Sequence, residues 1–322
     1  MNPRVHHAAD GHLYLIGGSN DVLRLYSDDG FAHAVDLAAW RVRLEARAAF
    51  FRRLGIPWAQ VLSPEKLSIT GDAVLADLVG PGANPPGARL VAALGHKALV
   101  YPRGYLREQG AKGYPVYPRT DSHWTAAGAL CAFQWLAPTL GLDLDFAPVL
   151  ALEPHRLSYR GDLWSNDFPD LPPDTFHRYR MPAHIRRIAA NELVELKERE
   201  NLENAGGLHV GSYVAFRNDT AERPERLVLF GSSFSEYRPE CSLLTFLAAL
   251  FFREVHFVWS SDLDTGFIER LAPDLALIEM PERFLTECPT DRFDLAAHAA
   301  RVAGQWTAAR HQGSAGKGPR AL

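Results

Sequence analysis

Apolar and polar positions follow two patterns along this chain, and the change falls near residue 226. Beyond it, apolar residues come in short unbroken runs. Leu227-Val228-Leu229-Phe230, Val255-His256-Phe257-Val258-Trp259 and Leu275-Ala276-Leu277-Ile278 are each separated by room for one helix. Runs of this kind predict strands covered on both faces, and therefore parallel β-α-β units. The predicted order is strand 226–230, helix 239–252, strand 254–259, helix 264–272 and strand 275–280.

The first two thirds are more varied. Leu13 to Ile16 predicts a strand, ended by Gly17-Gly18-Ser19-Asn20. Leu37, Trp40, Leu44, Ala48 and Phe51 recur at helical spacing before Gly55, which predicts a helix over 37–54. A strand over 56–62 delivers Ser63-Pro64-Glu65-Lys66 to a loop. Residues 80–88, rich in Gly and Pro, predict a turn region, 90–94 a short helix and 98–101 a short strand. Thr125 is placed to cap a helix that stops before Pro138, with Ala126, Leu130, Phe133 and Ala137 as its apolar stripe. Residues 143–182, dense in proline and aromatics, read as a long irregular surface excursion. A helix is expected over 185–201. One α/β domain is expected over 1–305, followed by a disordered tail over 306–322.

Composition narrows the function more than the fold. The 322 residues are 47% hydrophobic, enough for a large core, and the net charge of −4 comes without a basic run. Nucleic acid is therefore not an expected partner. No apolar stretch reaches the roughly 20 residues of a membrane helix. The three cysteines form neither a disulfide framework nor a CxxC pair. Met1-Asn2-Pro3-Arg4-Val5 lacks the order of a signal peptide, so a cytoplasmic protein is expected as written, or a periplasmic one if the start lies upstream.

Two segments carry candidate chemistry. In Asp121-Ser122-His123-Trp124 an acid and an imidazole sit two residues apart at a helix entry, a spacing that lets the carboxylate fix the ring tautomer. In Gly231-Ser232-Ser233 a serine follows an apolar strand at a tight turn, the place where doubly wound sheets bind ligands. Ser233 is the favoured nucleophile. Ser232 is expected to point toward the sheet, and Ser235 to lie further along. Each element also has an ordinary reading: Asp121 bonding backbone amides, His123 a half-buried ring, Gly-Ser-Ser a loop. A metal site is not expected, because no third His or Cys stands at a usual spacing.

Asp-Ser-His-Trp-Thr-x-x-Gly-Ala with a distant Gly-x-Ser-Phe-Ser resembles the alginate O-acetyltransferase family, SGNH-hydrolase-like proteins of bacterial exopolysaccharide systems. Asp10-Gly11-His12-Leu13-Tyr14-Leu15, Pro64-Glu65-Lys66 and Gly161-Asp162-Leu163 extend the resemblance over most of residues 10–285. It implies a three-layer α/β fold with a mostly parallel central sheet flanked by helices. It also implies the permuted order of catalytic residues: Asp121 and His123 first, Ser233 last. The implied reaction is acetyl transfer through an acetyl-serine to a sugar hydroxyl, with no cofactor beyond an acetyl donor. A carbohydrate acetylesterase with the same residues, or a non-catalytic glycan-binding scaffold, are the alternatives. Gly231, Gly161, Asp162, Arg283, Tyr159 and Trp164 are the candidate oxyanion and substrate contacts. Phe168 and Tyr179 are further aromatics that could stack on sugar. A salt bridge is the alternative role for Arg283. The expected partners are a carbohydrate acceptor, an acetyl donor and other polysaccharide-biosynthesis proteins.

Overall fold

The computed structural model describes residues 4–18, 20–202 and 205–311. Its strands, in chain order, are β1 (Val5–His7), β2 (Leu13–Leu15), β3 (Trp58–Ser63), β4 (Leu99–Val100), β5 (Pro154–Tyr159), β6 (Asp174–Tyr179), β7 (Ile185–Ala190), β8 (Tyr213–Asn218), β9 (Arg223–Gly231), β10 (Phe252–Trp259) and β11 (Leu275–Pro281). Seven of them make one sheet in the order β4-β3-β11-β9-β10-β8-β7. The first five in that order are parallel to one another, and β8 and β7 extend the sheet antiparallel at one edge. This is the mostly parallel sheet expected from the sequence.

Alternation along β9 explains the layers. Leu227 and Leu229 point to one face, Val228 and Phe230 to the other, and all four are almost fully buried. The first face packs on the helices Ala126–Leu136 and Leu244–Phe251, through Phe133, Leu136, Phe246 and Leu247. The second packs on Leu37–Leu54, Thr265–Leu271 and Leu295–His311, through Phe51, Ile268 and Leu295. Burying each large aliphatic or aromatic side chain contributes roughly 1.5–3 kcal/mol. Both faces are thus covered, as the unbroken apolar runs require. No helix among the described residues is long and apolar enough to cross a membrane.

The chain leaves β9 for its neighbour β10, then crosses back to β11 on the other side of β9. The end of β9 is therefore a topological switch point, where an open α/β sheet leaves a crevice for ligand.

Several expectations need correction. Residues 143–182 are not wholly irregular: β5 and β6 pair there as an antiparallel hairpin, after a short helix Ala147–Leu150. Residues 185–190 form edge strand β7, and the helix begins only at Glu192, where Asn191 accepts from Val194 N–H as its cap. Charge on an exposed edge strand imitates the polar face of a helix. The 80–88 turn region gives way at Pro86 to the helix Pro86–Leu94, with Pro in the first turn as its fixed φ allows. Lys66 opens a one-turn helix, Lys66–Thr70, instead of ending a loop. In the capped helix Ala126, Phe133 and the C-cap Ala137 are buried as expected, while Leu130 is only partly buried and Ala129, Ala132 and Leu136 join the buried face. At the C-terminus, residues 306–311 continue the helix Leu295–His311, and 312–322 lie outside the described residues.

Candidate active site

The segment 118–123 lies outside every strand; backbone N–H groups of Leu13 and Leu163 reach Arg119 O and Thr120 O, and the remaining carbonyl capacity needs other donors. Lys66 supplies them. Its buried ammonium donates to Pro118 O, Arg119 O and Asp121 O at 2.8–2.9 Å. Burial pulls its pKa down to about 8, against the opposing charges of Asp121 and Asp162. Asp174, at the start of β6, accepts from the N–H and hydroxyl of Thr120. The hairpin therefore also braces this segment.

Asp121 Oδ1 accepts from both the backbone N–H and the ring Nδ1 of His123, at 2.8 Å each. On the far side of the ring, Nε2 lies 2.7 Å from Ser233 Oγ. Because an ionised carboxylate only accepts, Nδ1 must carry the ring proton, and Nε2 is left to accept from the serine hydroxyl. The Phe234 ring supports the imidazole, 5.0 Å between centroids. Burial opposes charge on Asp121, but its bonds to His123 prevail and hold it below the usual carboxylate range. On His123 burial disfavours the protonated ring; the Asp121 bond and the charges of Asp162 and Asp121 outweigh it and raise the pKa.

The turn after β9 has the opposite need: free donors. Glu279, buried in β11, accepts from Ser232 N–H and Oγ–H, Ser235 Oγ–H and Ser63 Oγ–H at 2.7–2.9 Å. Ser232 and Ser235 are thus turned inward, which leaves Ser233 to face His123. Trp124 Nε1 donates to Phe234 O at 3.0 Å and ties this turn to the neighbouring helix entry. Among the described residues no acceptor takes the Ser233 backbone N–H, so it remains available to a developing oxyanion.

Other candidates have different places. Gly161 borders the cleft, but its N–H is spent on Thr120 Oγ1 at 2.8 Å. A Cβ there would lie 2.4 Å from Asp121 Cβ, so glycine is needed for close approach to the acid, not as an oxyanion donor. Gly231 closes β9 away from the cleft lining; its missing Cβ makes room for Ser235. Asp162 sits beside the imidazole, Oδ2 3.7 Å from Nδ1, and accepts from Ser122 N–H and Oγ–H. Burial and the Asp121 charge raise its pKa. Arg283 is not a cleft residue: it pairs with both oxygens of buried Glu65 at 2.9 Å and lies over Phe234. Trp164 is not one either; it stacks on Arg160, bonds Phe168 O and covers the cluster that includes Val5, Leu13 and Phe168. Phe168 is buried in that cluster, and Tyr179 packs on Phe246. Tyr159 does border the cleft, stacked on Phe176 at 3.9 Å.

Asp121, His123 and Asp162 bring three potential ligand atoms within 4.8 Å. With Nδ1 protonated to serve Asp121, however, the ring nitrogen on that side is no metal ligand.

The cleft holds about 650 Å³ and has Ser233 and His123 on its wall. Sequence reasoning missed other residues of its lining: Arg178 from the hairpin, Glu236 and Arg238 just beyond Ser233, and His209 with Trp259. It also missed Glu279, although a lone acid inside the run Leu-Ala-Leu-Ile-Glu-Met is a readable sign of a buried, bonded charge.

No protein-family model matches the chain, and no curated protein matches it. Solved structures do. Bacillus cereus PatB1 aligns with a TM-score of 0.56 at 13% identity, over 79% of this chain and 92% of that one. The O-acetyltransferase domain of Pseudomonas putida AlgJ aligns at 0.55 and 17%, over 94% and 100%. A DHHW family protein from Eubacterium siraeum aligns at 0.59 and 15%, over 87% and 91%. The chain has the SGNH-like α/β fold that the motif resemblance implies, with its seven-stranded sheet between helices.

Proposed function

We propose that this chain is an O-acetyltransferase that moves an acetyl group through Ser233 to a hydroxyl of a bacterial polysaccharide or sugar precursor. The observation that carries the reading is the hydrogen-bonded line from Asp121 through His123 to Ser233, at 2.8 and 2.7 Å. The kind of neighbour supports it: one is the O-acetyltransferase domain of Pseudomonas putida AlgJ.

In the first half-reaction Ser233 Oγ attacks the carbonyl carbon of an acetyl ester while Nε2 of His123 takes its proton. Asp121 stabilises the resulting imidazolium. The free N–H of Ser233 faces the tetrahedral oxyanion. Collapse expels the donor alcohol, which receives the proton from His123, and leaves acetyl-Ser233. In the second half a sugar hydroxyl gives its proton to Nε2 and attacks the acetyl carbon; collapse releases Ser233, whose oxygen takes that proton back from His123. Water in place of the sugar would make the protein an esterase, so exclusion of water decides between the two.

The test is turnover of p-nitrophenyl acetate with and without a carbohydrate acceptor, combined with mass spectrometry of the quenched protein. The expected result is a single acetyl adduct on Ser233, lost in Ser233→Ala, and acetylated sugar when acceptor is present. An adduct elsewhere, or none, refutes the reading. An adduct that passes only to water leaves the esterase.

A further inference from the structure

The cleft extends beyond Ser233 to an end that the acetyl chemistry does not use. Trp259 closes β10 opposite Gly231 in the parallel register, about one strand spacing (~5 Å) along the sheet edge from the nucleophile turn. The loop before β8 lays the His209 ring flat on this indole, 4.4 Å between centroids and 7° between planes. Backbone bonds from Gly211 N–H to Trp259 O and from Trp259 N–H to Ser212 O, each 2.9 Å, fix loop to strand. Both rings border the same cleft as Ser233.

His209 is under-used as a packing residue. Its Nδ1 is sealed from solvent without a partner among the described residues, and native proteins rarely leave a buried polar atom unpaired. Its Nε2 is not sealed, and no described residue bonds it. Burial, reinforced by the charges of Lys197 and Arg238, lowers the ring's pKa to about 4. The neutral ring has one N–H and one lone pair, and Nε2 is the nitrogen left open to a ligand. Beside it stands the ion pair of Glu236 and Arg238, Nε to Oε1 3.1 Å, also on the cleft wall. A flat ring stack next to one neutral ring nitrogen and a balanced acceptor–donor pair matches a polyhydroxylated ring: an apolar face with hydroxyls at its rim.

We propose that His209, backed by Trp259 and flanked by Glu236 and Arg238, forms a second carbohydrate subsite that holds the sugar unit next to the one acetylated from Ser233. The proposal rests on the function proposed above, which it deepens.

The test supplies the whole protein with p-nitrophenyl acetate and oligomers of glucose, N-acetylglucosamine or a uronic acid, in series of increasing length. The ratio of acetylated sugar to free acetate is read, together with the acetyl-Ser233 burst and calorimetric binding of the same oligomers. In the wild type the ratio should rise about tenfold from one unit to two. His209→Ala should lower the two-unit ratio about tenfold. His209→Gln, whose amide N–H reaches the Nε2 position, should recover most of it. The burst shows that each variant is folded. A ratio independent of length, or one whose length dependence survives His209→Ala, overturns the subsite and leaves acetyl transfer standing. Oligomer binding that His209→Ala abolishes, with no acetyl-Ser233 in the wild type, keeps the subsite and refutes acetyl transfer. Absence of any oligomer binding and of any length effect refutes the subsite outright.

Discussion

The two segments that meet at the His123–Ser233 contact are anchored by opposite charges. Segment 118–123 presents carbonyls, and the Lys66 ammonium gathers three of them. The turn 232–235 presents N–H and hydroxyl donors, and the Glu279 carboxylate gathers three of these and a fourth from Ser63. Neither segment has a regular ladder to satisfy its polar groups, and burial makes unpaired groups costly. A buried ion of matching sign serves as a local substitute for secondary structure. The difference teaches that the sign of the anchor follows from what the segment turns inward: peptide carbonyls toward Lys66, serine hydroxyls and one peptide N–H toward Glu279.

The comparison breaks most visibly where the segments touch. Ser233→Ala or His123→Ala should lower kcat/KM for p-nitrophenyl acetate by at least ~10³-fold. Neither removes an anchor, so the melting temperature should stay close to the wild type; kinetics and calorimetry on the same samples check both. Next come the anchors. Lys66→Met removes three donors at once and should cost about 100-fold in kcat, because the carbonyls it held must find other partners and Asp121 shifts. Glu279→Gln keeps an acceptor of the same shape and should cost only about tenfold. No loss in either variant would show that the anchors do not hold the reacting atoms; equal losses would overturn the ranking of the two. Gly161→Ala perturbs one side alone: its methyl meets Asp121, so stability should fall by about 1–3 kcal/mol in denaturant titration.

The smallest effect is a shift along the pH axis. The negative charge of Asp162 favours protonated His123, and the ring must be neutral to act as a base. Asp162→Asn should therefore move the acid limb of the kcat/KM profile to lower pH. A limb that stays in place, or moves up, removes Asp162 from the electrostatics of the ring.

Much of this was legible in the sequence, for physical reasons. Strands buried on both faces read as continuous apolar runs, which is why β9, β10 and β11 stand out. The helix Leu37–Leu54 announces itself by spacing and by Gly55, whose positive φ ends it. The meeting of Asp121, His123 and Ser233 is readable because a two-residue acid–imidazole spacing and a strand-end turn each leave few places for the side chains to point. The remaining positions depend on neighbours distant in sequence. Strand β7 carries charge because its outer edge is exposed. Arg283 lies at a strand end yet faces Glu65, 218 residues away. Trp164 sits in an aromatic-rich excursion yet covers the N-terminal strands. His209 matters only because Trp259 lies beneath it, a contact no local pattern encodes.

Asp121 and His123, the proposed acid and base, ride on one three-residue stretch, while Ser233, the proposed nucleophile, belongs to the turn that follows β9. The machine accordingly has two moving parts, not three. A rigid displacement of the Asp-Ser-His stretch would carry the His123 ring and the carboxylate that orients it away from Ser233 together.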